Sequence, residues 1–259
     1  MEQLQTFLPT NHFFSLKVFT EKEEFCQIHN YEFNNKFFGI SEDKATWAGC
    51  PSCRRQNVIE SITATDEKIK LQKLQQNYEK SGIPALFTNS TFENYKAFHD
   101  HQLLVIESMI NFIKDIDNNL KNGKNLILRG YVGTGKTHLA IALAKRVIEN
   151  TNYNVNFTTL YQMIDDINSQ SVWEKNNIIK KYSKVDLLII DEITKDLTFN
   201  DQKQIFKILN NRYSQQKSTI IITNLMMSEV AEVLGERVID RLKQNAIDSV
   251  LVFDWKSYR

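Results

Sequence analysis

Glycine and proline are both scarce in this 259-residue chain, with eight and three residues respectively, and cysteine occurs only three times. No low-complexity tract or internal repeat is present. With 42% hydrophobic and 24% charged residues, the composition excludes wholesale disorder and suits one good core plus a smaller module. No apolar run approaches the roughly 18–20 residues that a bilayer span needs, so no membrane contact is expected. The opening "MEQLQTFLPTNHFF" lacks a basic segment followed by an apolar one, which excludes a secretory signal and makes the cytoplasm the expected location. Net charge is only +1, so no whole-molecule field draws nucleic acid and any such contact must be a local patch.

The few glycines are not spread evenly. Three of the eight fall within "GYVGTGKT" at 130–137, which matches G-x-x-x-x-G-K-[ST] throughout. Glycines let the backbone wrap an anion with its N–H groups pointing inward, and the following helix adds its positive end. "NLILR" before the loop reads as a buried strand, and "HLAIALAKRVIEN" after it has helical periodicity. That context makes Gly130, Gly133, Thr134, Gly135, Lys136, Thr137 and the adjoining His138 the candidate nucleotide-binding set. Lys136 is placed to reach the outer phosphates of ATP, and the Thr137 hydroxyl to ligate Mg²⁺.

From about residue 83, apolar runs alternate with amphipathic stretches. Strands are expected at 125–129, 154–159, 185–190, 218–223 and 249–253, with helices at 99–120, 136–150, 160–181 and 201–216. This alternation implies an α/β fold, a parallel five-stranded sheet between helices. The run "VDLLIIDE" at 185–192 ends at the carboxyl edge of a strand, where ligands of such sheets lie. Asp191 is therefore a second Mg²⁺ ligand, and Glu192 is placed to polarise a water facing the γ-phosphate. "STIIITN" ends in Asn224, an amide suited to holding that water, though an asparagine also closes turns.

Residues 1–60 carry all three cysteines and little clean periodicity. "FCQIH" and "GCPSC" place Cys26, His29, Cys50 and Cys53 as C-x₂-H followed by C-x₂-C, a tetrahedral Zn²⁺ donor set. A region of this size needs such a staple to fold. Residues 61–82 are polar, with Ile62, Ile69, Leu74 and Tyr78 as sparse apolar marks. They read as an exposed linker helix stopped by "SGIP". The expected division is 1–60, 61–82 and 83–259.

Over 83–259 the chain resembles the AAA+ ATPases of the DnaC/DnaI type, the replicative-helicase loaders. "SGIPALFTNSTFENY", "GYVGTGKTHLAIALAKRV", "DLLIIDEI", "IIITNL", "LGERVIDRLKQN" and "VFDWKSYR" carry that resemblance. IstB-type transposition helper ATPases are similar in the same elements and are the alternative, although they usually lack a zinc module. The resemblance implies an arginine finger acting on ATP in an adjacent subunit, with Arg241 the first choice and Arg237 the second. It implies a homo-oligomer in the ATP state, and an N-terminal zinc-bearing module that engages a hexameric DnaB-type helicase, in a bacterium or a phage. It also implies single-stranded DNA contact before the second acidic motif. There "EKNNIIKKYSK" brings Lys180, Lys181 and Lys184 near Tyr182, a pattern that equally suits a solvated helix face. The loop 194–200 is a second candidate. No C-terminal helical lid is expected after the last strand, and Arg259 is a doubtful substitute for a lid arginine.

Overall fold

The computed structural model describes residues 16–244 and 250–258 and divides the chain into two compact units, 1–71 and 72–259. The first unit is built on a hairpin. Strand β1 (Lys17–Cys26) pairs antiparallel with β2 (Tyr31–Gly39), and a short β3 (Thr46–Trp47) pairs with the far end of β2. Asn30, left-handed at φ 55°, closes the turn, and its N–H donates to Cys26 O at 2.7 Å. Helix α1 (Pro51–Lys80) then begins with a proline at its first position, where a missing N–H costs nothing.

The sequence reading did not anticipate this sheet. Nine of the ten β1 residues are exposed or half-buried, so neither face carries the apolar alternation that marks a strand. The expected exposed helix is present but starts ten residues earlier, at Pro51, and the division between units falls inside it at 71/72.

The second unit centres on five parallel strands: β4 (Leu126–Gly130), β5 (Val155–Thr159), β6 (Leu187–Asp191), β7 (Ser218–Thr223) and β8 (Val250–Phe253). Their spatial order is β5-β6-β7-β4-β8. Along each central strand successive side chains enter opposite cores. Leu126, Leu128, Leu187, Ile189, Ile220 and Ile222 join one cluster, while Ile127, Leu188, Ile190 and Ile221 join the other. Burial on both faces is why these strands read as unbroken apolar runs.

Helices α2 (Asp100–Lys114), α3 (Ile116–Lys121) and α4 (Lys136–Asn150) cover the first face. The second is covered by α5 (Leu160–Asn168), α6 (Val172–Lys184), α7 (Phe199–Ser214), α8 (Met227–Leu234) and α9 (Glu236–Gln244). Two expected helices are each broken in two. Asp115 interrupts 99–120, and the segment 169–171 interrupts 160–181. Gly235 at φ 88° separates α8 from α9. Among the described residues no helix follows β8, and no helix is long and apolar enough to cross a membrane.

Arg212 on α7 is 1% exposed. Its Nε donates to Thr219 Oγ1 at 3.0 Å, and Nη1 donates to Tyr182 O and Val185 O, each at 2.8 Å. Nη2 donates to Ser218 O. Burial lowers its pKa to about 9. A charged side chain thus stitches α6, α7 and β7 through backbone acceptors.

Candidate functional site

The glycine-rich loop joins the carboxyl end of β4 to the amino end of α4. All three of its glycines have positive φ: 151° at Gly130, 77° at Gly133 and 88° at Gly135. Close approach constrains them further. A Cβ on Gly130 would lie 2.0 Å from Phe253 O, and one on Gly135 would lie 2.4 Å from the Tyr95 ring. Thr134 is buried, and its hydroxyl donates to Tyr131 O at 2.8 Å.

Lys136 folds back into the loop, where Nζ donates to Gly130 O at 2.9 Å and Tyr131 O at 2.6 Å. Burial pulls its pKa down to about 8, opposed by the nearby Asp191 carboxylate. Thr137 Oγ1 donates to Asp191 Oδ2 at 2.7 Å, so the two oxygens suited to a magnesium ion already sit side by side. Burial pushes the Asp191 carboxyl upward, against the Thr137 and Glu192 hydrogen bonds and the Lys136 charge. Glu192 is exposed in the left-handed region at φ 57°, and its N–H donates to Asp191 Oδ1 at 2.8 Å.

Asn224 is exposed just beyond β7 and lines the same cleft as Glu192, Asp191 and Lys136. That cleft is about 530 Å³, within the size range of a nucleotide pocket. His138 lines it too, with Nε2 donating to Thr91 O at 2.8 Å.

Sequence reasoning missed the opposite wall, formed by Phe87, Tyr95, Lys96 and Tyr258. Phe87 and Tyr95 lie in "SGIPALFTNSTFENY" and Tyr258 in "VFDWKSYR", but neither stretch has a spacing that marks a binding role; they converge because the segment before α2 and the one after β8 both pack on the loop. Arg259 lies outside the described residues.

The arginine candidates differ in their surroundings. Arg241 donates from Nη1 to Asn210 Oδ1 and stacks 5.0 Å from the Tyr213 ring centre. Arg237 is exposed. One expectation is corrected. Tyr182 is 2% exposed and donates to Asp166 Oδ2 at 2.5 Å, so it belongs to the core and presents no stacking surface. Lys180, Lys181 and Lys184 are exposed around it.

In the first unit, Cys26, His29, Cys50 and Cys53 offer ligand atoms that all lie within 4.8 Å of one another. Metal–sulfur bonds of about 2.3 Å imply sulfur–sulfur edges of about 3.8 Å in a tetrahedron. Cys26 Sγ and Cys53 Sγ are 3.7 Å apart, and the three sulfurs stand 3.5, 3.9 and 3.4 Å from His29 Nδ1. The donor set fits zinc. The hairpin turn supplies Cys26 and His29, while Gly49, at φ 71° with its N–H on Asn35 Oδ1, presents Cys50 and the start of α1 presents Cys53. Tyr31 supports the cluster, with its hydroxyl 3.2 Å from Cys50 Sγ.

A five-stranded parallel sheet in this order, with a glycine loop leaving β4 and an acidic end on β6 two strands away, defines a P-loop ATPase core of the AAA+ type. The profile of the family described as IstB-like ATP binding protein matches residues 89–251. The replicative helicase loader DnaC of Escherichia coli strain K12 is 29% identical over 226 residues, 86% of this chain and 88% of that one. DnaC of Buchnera aphidicola subsp. Baizongia pistaciae is 36% identical over 209 residues, 77% and 81% of the two chains. The crystal structure of the DnaC helicase loader has a TM-score of 0.59 at 23% identity, covering 66% of this chain and 99% of that one. That of DnaI has a TM-score of 0.56 at 18% identity, covering 66% and 94%. The chain belongs to the IstB-like ATP-binding family, among the DnaC-type replicative helicase loaders.

Proposed function

We propose that this chain is an ATP-dependent loader that places the replicative DNA helicase on single-stranded DNA in the cytoplasm. The observation that carries the reading is the similarity to DnaC loaders over about four-fifths of both chains. In this reading residues 1–60 hold a structural Zn²⁺ and grip the helicase, 61–82 link, and 83–259 form an ATPase that assembles into a homo-oligomer.

The site chemistry follows from the side chains. Lys136 exchanges its two carbonyl partners for the outer phosphates of ATP, and the loop N–H groups hold the remainder. Thr137 and Asp191 would hold Mg²⁺, which when bound neutralises phosphate charge. Glu192 takes the proton of the attacking water, and Asn224 orients that water. A neighbouring subunit completes the site with an arginine. The exposure of Arg237 favours it over Arg241, which must first release Asn210. For DNA, burial removes Tyr182 and leaves Lys180 and Lys184 with the exposed Trp173, and Phe199 with Lys203 4.4 Å above its ring.

The family profile's description favours a second reading, a transposition helper ATPase. Co-purification of the full chain with the cognate replicative helicase, with and without ATP, separates the two. A zinc-containing complex with DNA-stimulated phosphate release is the expected result. No complex under either condition contradicts the loader.

A further inference from the structure

The apex of the phosphate loop is held from outside by the segment that follows β8. Tyr258 N–H donates to Gly133 O at 2.9 Å. Trp255 Nε1 donates to Thr134 O at 3.0 Å, and Tyr95 hydroxyl donates to the same oxygen at 2.8 Å. The segment is itself anchored. Tyr258 hydroxyl donates to Lys96 O at 2.6 Å and accepts from Gln102 Nε2 at 2.9 Å. Asp254 Oδ1 meets His101 Nδ1 at 3.0 Å, and the buried Trp255 ring packs 4.8 Å from Phe253.

Those contacts fix a direction. In a trans peptide the carbonyl and the following N–H point to opposite sides of the chain. Holding Gly133 O and Thr134 O toward 255–258 therefore turns the N–H groups of Thr134 and Gly135 away from it, which is the orientation that lets successive amides cradle an anion. The same contact accounts for a glycine. A Cβ on Gly133, at φ 77°, would lie 2.1 Å from Ser257 Oγ, so a side chain there would be strained and would force the serine hydroxyl aside.

We infer that residues 254–258 form a strap that sets the phosphate loop in its binding geometry, with Trp255 and Tyr258 as positioning residues for the nucleotide phosphates. The inference rests on the nucleotide-site reading above.

The test compares the full-length wild type with Trp255→Phe, which keeps an aromatic ring but removes the N–H donor, and Tyr258→Phe, which removes the anchoring hydroxyl. Affinities for magnesium-ATP, magnesium-ADP and adenosine are measured alongside melting of the nucleotide-free protein. Each variant should bind ATP and ADP about three- to tenfold more weakly, the factor expected for one ordinary hydrogen bond. Adenosine affinity should fall by a smaller factor, and nucleotide-free melting should drop only as far as the loss of one buried hydrogen bond requires. Lowered melting with undiminished phosphate affinity would show a purely structural role and overturn the strap. So would variants that bind as tightly as wild type, leaving the site reading intact. A wild type that binds no nucleotide overturns the site reading itself. Should Trp255→Phe fail to fold, Tyr258→Phe decides alone.

Discussion

The two units of this chain solve the problem of burial in opposite ways. Residues 72–259 fill two apolar clusters on either face of one sheet. In the first unit, among the described residues, only Cys26, Asn35, Gly39 and Cys50 are buried. Two of those four are thiols of the candidate metal cluster. One unit thus draws its stability from apolar area, whereas the other has almost none and converges on four ligand atoms. A segment with so little core is the kind that a bound metal stabilises, and where a metal binds, the binding energy is folding energy.

The largest expected effect breaks this contrast directly. Removing zinc with a strong chelator, or by Cys50→Ser, should forfeit about 10 kcal/mol or more of metal-linked stability and unfold the hairpin unit. The ATPase unit should keep its melting transition. Metal analysis with circular dichroism checks this, and a zinc-free hairpin that melts cooperatively would contradict it.

A smaller effect probes the other unit at the buried cation Arg212. Arg212→Met should strip the donors from Tyr182 O, Val185 O and Ser218 O. Leaving several buried acceptors unpaired should cost on the order of 3 kcal/mol or more. For a unit of this size that lowers the melting midpoint by on the order of 10 °C, with zinc content unchanged. Differential scanning calorimetry reads both units at once.

How much of this was legible in the sequence follows from the same contrast. β4, β6 and β7 are buried on both faces, so their apolar runs announce them, and the glycine loop and acidic strand end follow in fixed register. The cysteine spacing marks a metal cluster without any periodicity. The β1–β2 sheet was not legible, because its strands lie exposed and their polar side chains carry no face. Tyr182 was misread because a lysine-rich stretch looks solvated, while its phenol turns inward to Asp166. The bonds from Arg212 to Tyr182 O and Val185 O and the wall formed by Tyr95 and Tyr258 depend on contacts across long stretches of chain, which no local pattern records.

The smallest effect is a pH dependence at the loop. Burial sets the Lys136 amine near 8, against 10.5 in the open chain, while bound phosphates favour its charged form. Nucleotide affinity should therefore hold level below about pH 8 and fall above it, approaching tenfold per pH unit. The stability of the nucleotide-free protein should move the other way. Between pH 8 and 10.5 the unfolded chain keeps a proton that the native site has lost, so stability rises with pH. Affinities measured from pH 7 to 9.5 should show the break, and a flat profile would contradict this placement of Lys136.

Calorimetric titration of magnesium-ATP into wild type and Lys136→Ala tests the central claim most directly. Wild type should bind one nucleotide per chain, and the variant should lose that binding while keeping its zinc and its fold. A folded wild type without affinity for the nucleotide, or a Lys136→Ala protein that binds equally well, would contradict the assignment.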